Sequence, residues 1–184
     1  MLKENKIASL KLLVPCMFFL MLGFTPVQLS PRLKEKLHNA VQSTFAIDGF
    51  NLELLEVSKD INAKTAVELG GENLFRIKKD EKLLGFVYLG EAPSMKNVFD
   101  YVILFNPDLS VKKSKVLIYR ENHGRQIGSQ RWLKQFIGLK VGDSVTYGKE
   151  IDAIAGATIS AKSMTNAIAE VLESMTVLHD EKVL

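Results

Sequence analysis

Residues 150–160 read Glu-Ile-Asp-Ala-Ile-Ala-Gly-Ala-Thr-Ile-Ser, a run of mostly small residues that leads into a helical pattern. From Ile159 onward, apolar residues recur at the three- and four-residue spacing of one helix face. These residues are Met164, Ile168, Val171, Leu172 and Met175. The spacing predicts a long helix whose N-cap lies at or beside Thr158.

The start of such a helix is suited to an anion. Its first backbone N–H groups have no partner within the helix, and the positive end of the helix dipole lies there. Gly156 and Ala157 are small enough to let a phosphate approach closely. The alternative is that Thr158 or Ser160 only caps the helix, which Ser and Thr commonly do.

The longer pattern around Thr158 resembles a known signature. Asp152, followed by Ala155-Gly156-Ala157-Thr158 and Ile-Ser, is similar to the flavinylation signature of the FMN-binding domain family. This family includes the flavin-carrying subunits of the Rnf complex and of the sodium-translocating NADH:quinone reductase. The resemblance implies that a dedicated flavin transferase attaches FMN to Thr158 through a phosphoester. Ala155 stands where relatives carry Ser or Thr.

A second part of the site is expected in the glycine-punctuated loop at residues 121–129, Glu-Asn-His-Gly-Arg-Gln-Ile-Gly-Ser. In relatives a loop of this kind, often Glu-Thr-Pro-Gly-like, lies along the isoalloxazine ring. Backbone that passes close to a flat ring needs glycine, because a Cβ would clash. The cofactor-binding residues predicted from the resemblance are Asp152, Gly156, Ala157, Thr158 and Ser160 in the signature, and Glu121, His123, Gly124, Ile127 and Gly128 in the loop.

Two of these residues also have simpler interpretations. The resemblance assigns Asp152 to recognition by the transferase or to holding its metal–phosphate substrate, but a solvated carboxylate before a turn fits the sequence equally well. His123, taken singly, fits an ordinary strand-to-helix loop. Trp132, just after the loop, is more typical of a core residue than of a ring-stacking partner.

Several segments before this loop have the apolar residues and partial alternation that are typical of strands. Residues 99–105 and 111–120 flank Asn-Pro-Asp turn chemistry and predict a hairpin. Residues 73–77 and 83–90, separated by Lys-Lys-Asp-Glu-Lys, predict a second hairpin, and residues 50–57 predict a further strand. Gly85 is expected to mark a bulge or a close approach. Together with the helices, these strands predict an α+β fold in which a small antiparallel sheet packs with helices, as in the FMN-binding domain.

Two further helices are expected. The first spans residues 31–45, with Ser30-Pro31 as cap and first turn and an apolar stripe that includes Leu37 and Val41. The second spans residues 129–137. Its predicted buried side consists of Trp132, Leu133, Phe136 and Ile137.

The N-terminus predicts export. A basic start is followed by an apolar run at residues 12–24, which is shorter than the roughly twenty residues that cross a bilayer and suits a secretory signal. The sequence fits both a signal peptide that is cleaved off and a segment that stays as a membrane anchor. The predicted divisions are therefore 1–30 (signal peptide or membrane anchor), 31–97 (helix and strands) and 98–184 (FMN-binding domain), with 31–184 forming one structural unit. The expected location is periplasmic, or anchored to the membrane on its extracytoplasmic side.

Composition excludes several other classes of protein. The 24 basic and 21 acidic side chains are nearly balanced, so nothing indicates a nucleic-acid partner. Cys16 is the single cysteine and cannot form an internal disulfide. The three histidines, at 38, 123 and 179, lack metal-ligand spacing, so no metal site is predicted.

Three functions fit these observations. The first is an extracytoplasmic electron-transfer flavoprotein with FMN on Thr158, a redox carrier or complex subunit that meets redox partner proteins. The second is a flavin reductase that binds FMN reversibly. The third is an exported binding module that has lost flavinylation, which Ala155 keeps open. The absence of a recognisable acid–base pair in the sequence weighs against the second.

Overall fold

A computed structural model describes residues 29–184, so the predicted signal or anchor lies almost wholly outside the described residues. The elements follow in the order α1 (Pro31–Phe45), β1 (Asn51–Leu54), α2 (Lys59–Asn62), β2 (Leu74–Lys79), β3 (Lys82–Pro93), β4 (Val98–Phe105), β5 (Val111–Ile118), α3 (Gln130–Leu133) and α4 (Thr158–Asp180). Short 3-10 turns at Arg125–Gly128 and Lys134–Phe136 flank α3. Among residues 29–184, no helix is both long and apolar enough to cross a bilayer.

The five strands form one sheet in sequence order, and every neighbouring pair is antiparallel. Because side chains alternate along a strand, the sheet has two apolar faces. Val87 and Val102 lie in the cluster that packs with α1, whereas Phe86 and Tyr101 lie in the larger cluster that packs with α3 and α4. The predicted α+β fold, with helices on an antiparallel sheet, is confirmed.

The first helix has the bounds that its sequence predicts. The Ser30 hydroxyl accepts a hydrogen bond from the Leu33 N–H (3.3 Å), and Pro31 occupies the first turn. Leu37 and Val41 of the apolar stripe are buried against the sheet. A residue in the left-handed conformation, Ala46, ends the helix.

The two predicted hairpins are confirmed. Strands β2 and β3 are joined at Asp80 and Glu81, which both have positive φ, as a tight two-residue turn requires. Gly85 lies opposite Ile77 beside a register shift, and a Cβ on it would come within 2.0 Å of the Phe105 carbonyl oxygen. The expected bulge and close approach both occur there. The turn between β4 and β5 is closed by a hydrogen bond from the Asn106 N–H to the Ser110 carbonyl (2.9 Å).

Two details of the helix predicted at residues 129–137 are wrong. The helix expected at residues 129–137 is one α-helical turn, α3, that tightens into a 3-10 turn. Ile137 was expected to be buried but is 51% exposed, because the backbone becomes extended there and its side chain leaves the helical face. Ile159 is 55% exposed. It precedes Met164 by five residues, about 140° around the helix, so it lies off the buried face of α4.

Candidate functional site

A cleft of about 200 Å³ lies between the glycine loop and the first turn of α4. The loop follows β5, and α4 begins some thirty residues later, after α3 and a connecting segment. The fold therefore brings two distant parts of the sequence together. The lining residues are Met95, Tyr119, Glu121, His123, Gly124, Gly156, Ala157, Thr158, Ile159 and Ser160.

The N-terminus of α4 has no side-chain cap. Its N-cap residue is Ala157, and Thr158 is the first helical residue, with an exposed side chain. Within the described residues the Thr158 hydroxyl makes no hydrogen bond. The first N–H that bonds within the helix is that of Ala161, to the Ala157 carbonyl (2.8 Å). The interpretation of Thr158 or Ser160 as a simple cap is therefore not supported, and the first N–H groups of α4 are available to a ligand.

The turn before α4 depends on Gly156. Its φ is +76°, a conformation that favours glycine, although a Cβ there would meet nothing within 4 Å. Ala157 is buried and faces the glycine loop. No acidic residue occurs in the first turn of α4, so its dipole is not already balanced by a carboxylate.

Gly124 brings the loop against α4. Its φ is +77°, and a Cβ would lie 2.8 Å from the Tyr119 hydroxyl and 3.4 Å from the Ala157 Cβ. Sequence reasoning expected glycine here because backbone must pass close to a ring. The described structure shows that the loop's own packing already requires it.

The beginning of the loop is fixed by two adjacent charged residues. Nη2 of Arg120 lies 2.7 Å from Oδ2 of the buried Asp100. Nη1 of the same side chain donates a hydrogen bond to the Val98 carbonyl (2.9 Å). Glu121 accepts three hydrogen bonds on Oε1, from the Lys96 N–H (2.6 Å), the Asn97 N–H (2.8 Å) and the Ser94 hydroxyl (2.8 Å).

Those hydrogen bonds to Glu121, foremost the one from the Lys96 N–H and then the one from the Ser94 hydroxyl, lower the pKa of its carboxyl group below the ordinary value. They also tie the turn between β3 and β4 to the glycine loop. Met95 at the tip of that turn is 60% exposed and lines the cleft. Glu121 therefore acts within the protein as the anchor of this cleft wall.

Three residues that line the cleft were not among the predicted site residues: Tyr119, Met95 and Ile159. The Tyr119 hydroxyl oxygen lies 2.9 Å from the Ser160 Oγ, across the cleft from the glycine loop to α4. Tyr119 directly precedes the charged pair that starts the loop, a position that could have drawn attention to it. Met95 belongs to a turn distant in sequence, and no local pattern connects it with the site.

The structure brings seven of the ten predicted site residues into the cleft wall and leaves three outside it. Ile127 is fully buried in the core, and Gly128 is exposed but does not line the cleft. Asp152 is exposed. Its backbone carbonyl accepts a hydrogen bond from Trp132 Nε1 (2.8 Å), and its N–H donates to Gln135 Oε1 (2.9 Å). The binding roles of all ten residues stay predictions.

A second, more open cleft of about 460 Å³ adjoins the first and shares Thr158 and Ile159 with it. Lys162, one helical turn after Thr158, lines this second cleft together with Glu91 and Glu170. Thr158 therefore lies at the border between a mostly apolar cleft and a more open one that has charged residues in its lining.

The chemistry that this arrangement offers is anion binding beside an exposed hydroxyl. Within residues 29–184, no three His, Cys, Asp or Glu side chains cluster closely enough to hold a metal ion. The smaller cleft falls below the roughly 300 Å³ from which ligand pockets usually start. This cleft alone would therefore enclose only part of a cofactor-sized ligand.

Comparisons with known proteins agree with this geometry. A model of the FMN-binding domain matches residues 75–173, a range that contains both walls of the cleft. The crystal structure of Shewanella oneidensis NqrC superposes with a TM-score of 0.58, at 14% sequence identity, over 82% of this chain and 98% of that one. This likeness shows a shared fold. No curated protein matches the chain at a significant level.

Proposed function

Because the chain belongs to the FMN-binding domain family, we propose that it carries FMN covalently, through a phosphoester on Thr158, and acts in electron transfer. The observation that supports this proposal most strongly is the exposed, unbonded hydroxyl of Thr158 at an uncapped helix N-terminus. That hydroxyl faces the glycine loop across the cleft, where the ring of a tethered flavin would lie.

The first turn of α4 suits a phosphodiester. The N–H groups of Thr158, Ile159 and Ser160 have no backbone partner in the described part of the chain, and they point towards the helix N-terminus. A phosphodiester keeps one negative charge, which these groups and the helix dipole stabilise. Thr158 would act once as the acceptor hydroxyl in the transferase reaction and afterwards as the linker.

Asp152 is proposed to be recognised by the flavin transferase. Trp132 and Gln135 hold its backbone carbonyl and N–H in place, and its side chain is exposed in the segment before Thr158. The carboxylate is therefore accessible to another protein without rearrangement of the backbone. Asp152→Ala is therefore expected to leave a folded protein that is not loaded.

A tether suits a small cleft in which the flavin is only partly enclosed. A covalent link replaces the bulk concentration of cofactor by a local one that reaches the millimolar range. Bound FMN supplies one- and two-electron transfer, and an exposed ring edge allows it at short range. The exposed Met95 and Ile159 give the cleft an apolar rim at which redox partner proteins could dock.

The proposal includes export, which the apolar run at residues 12–24 supports. The flavin would then act in the periplasm or on the outer side of the membrane, where free FMN is scarce. A fusion of residues 1–30 to a reporter enzyme that is active only after export tests this part. An inactive reporter would contradict it.

The covalent link is tested by expressing the full chain with a flavin transferase and viewing flavin fluorescence on a denaturing gel. The wild-type band and a Thr146→Ala control, at an exposed threonine outside the cleft, are expected to fluoresce, and Thr158→Ala is not. Flavin that is lost on denaturation from the wild type would instead support reversible binding. A wild type that never binds flavin would support a module that has lost it.

A further inference from the structure

A pair of hydroxyl groups lies inside the smaller cleft. The Tyr119 side chain comes from the end of the β5 segment and the Ser160 side chain from the first turn of α4, and their oxygens are 2.9 Å apart. Ser160 is only 4% exposed, although it lines the cleft. Thr158 is exposed at the mouth. The pair therefore belongs to the inner part of the cleft.

The pair has one hydrogen-bond donor left over. Each hydroxyl carries a single proton and can also accept hydrogen bonds. One of the two protons lies between Tyr119 and Ser160, whichever oxygen donates it. Within residues 29–184 neither hydroxyl has another hydrogen-bond partner, so the second proton is free for a ligand atom. The side chains of Met95, Ala157 and Ile159 beside the pair are apolar. Glu121 also lines the cleft, but its hydrogen bonds go to Ser94, Lys96 and Asn97 and not to the pair.

We propose that the Tyr119–Ser160 pair donates a hydrogen bond to an acceptor atom of the isoalloxazine ring and thereby favours the reduced flavin. This inference rests on the proposed function, because it requires FMN in this cleft. The phosphoester would lie at the exposed mouth, so the part of the cofactor that reaches the inner cleft is the ring.

The direction of the effect follows from charge. Reduction increases the negative charge on the carbonyl oxygens and ring nitrogens of a flavin. A donor fixed beside them in a partly dry cleft stabilises the reduced ring more than the oxidised one. One hydrogen bond corresponds to roughly a three- to tenfold change in the equilibrium constant for reduction.

A purely structural role for the pair gives a different result. If the hydrogen bond only joined β5 to α4, its loss would lower the stability of the protein but leave the midpoint potential and the flavin absorption spectrum unchanged. The potential and the spectrum of the loaded protein therefore separate the two roles.

The test uses the full chain loaded by a flavin transferase, as wild type and as the double variant Tyr119→Phe/Ser160→Ala, because either single variant leaves one hydroxyl proton that can still be donated to a ligand. Tyr147→Phe is the matched control, since the Tyr147 hydroxyl has no hydrogen-bond partner within the described residues and lies outside the cleft. Gel fluorescence measures loading, and a redox titration measures the midpoint potential. We expect the double variant, which has neither hydroxyl, to stay loaded, to shift the equilibrium roughly three- to tenfold towards oxidised flavin, and to change the absorption spectrum. The control is expected to match the wild type.

A loaded double variant with the potential and spectrum of the wild type would overturn the inference and leave the proposed function intact. A wild-type band without flavin would instead contradict the covalent proposal. The midpoint potential of reversibly bound FMN would then be compared between the wild type and the double variant. A shift of roughly three- to tenfold towards oxidised flavin would support the donor role, whereas an unchanged potential, or no binding by either protein, would overturn it.

Discussion

Gly124 is the residue at which backbone conformation and cleft packing meet. Gly124→Ala places a Cβ 2.8 Å from the Tyr119 hydroxyl at a φ of +77°. The conformation alone costs about 1–2 kcal/mol, and displacement of Tyr119 adds to this cost and narrows the cleft. Denaturant unfolding and gel fluorescence are expected to show lower stability and reduced flavin loading.

Gly138→Ala is the matched control for this change. Its φ is +88°, and a Cβ there would meet nothing within 4 Å, so it carries the conformational cost without the clash. We expect Gly138→Ala to lower the stability of the protein by less than Gly124→Ala does, and to leave flavin loading unchanged. Equal loading of the two variants would show that the contact between Gly124 and Tyr119 does not shape the site.

Ala155 is the position at which the signature departs from its relatives. The residue is exposed in the turn before α4, so a serine hydroxyl can be added there without displacing the core. If the transferase recognises the side chain at position 155, Ala155→Ser is expected to raise the fraction of chains that carry flavin. The ratio of flavin to protein absorbance in denatured samples measures this fraction. An unchanged or lower ratio would contradict the expectation.

Glu121 makes the stability of the cleft wall depend on pH. Because its three hydrogen bonds lower its pKa in the folded state, the stability that it contributes is present above its unfolded pKa. That contribution is lost as the pH falls through the lower, folded value. Glu121→Gln is therefore expected to be less stable than wild type at pH 7, with a gap that narrows below about pH 4.5. Urea unfolding of both proteins between pH 7 and low pH measures this difference in stability. A difference that stays constant with pH would contradict the prediction.

At the scale of elements, α4 carries an unusual charge near its N-terminus. Lys162 is exposed in the second turn and forms no salt bridge within residues 29–184. A cation near the positive end of a helix is unfavourable unless an anion is close, and Thr158 lies one turn away. Lys162→Gln is expected to raise the melting temperature of the unloaded protein slightly and to lower that of the loaded protein.

The size of each change in that experiment is about 0.5 kcal/mol or less, because the side chain is exposed and screened. The informative result is therefore that the melting temperature changes in opposite directions in the loaded and the unloaded protein. Thermal unfolding of both samples measures these changes. A change of the same sign in both samples would place the phosphate away from Lys162.

Most elements could be predicted because their patterns are local. The α1 helix has a cap, a proline and an apolar stripe in one continuous segment, and the β4–β5 hairpin has its turn chemistry between two apolar runs. The helix at residues 129–137 was only partly predicted. Apolar spacing shows which side is buried, but it does not show where an α-helical turn tightens into a 3-10 turn and releases Ile137.

At the scale of the whole molecule, the sequence predicted two walls of one site, and the sheet brings those walls together. The antiparallel β5 strand ends beside α4, so the loop that follows it meets the helix N-terminus. The third wall could not be predicted. Met95 reaches the cleft because Glu121 binds the turn that carries it, and that contact links residues 24 to 27 positions apart.

The covalent flavin on Thr158 is the central claim, and the chain offers a direct measurement of it. Trypsin cleaves after Lys149 and Lys162, which releases a peptide of residues 150–162 that contains both Thr158 and Ser160. Mass spectrometry of this peptide from loaded protein is expected to show FMN attached through its phosphate, with fragment ions that locate it on Thr158. An unmodified peptide from a protein expressed with an active transferase, or an adduct on Ser160, would contradict the claim.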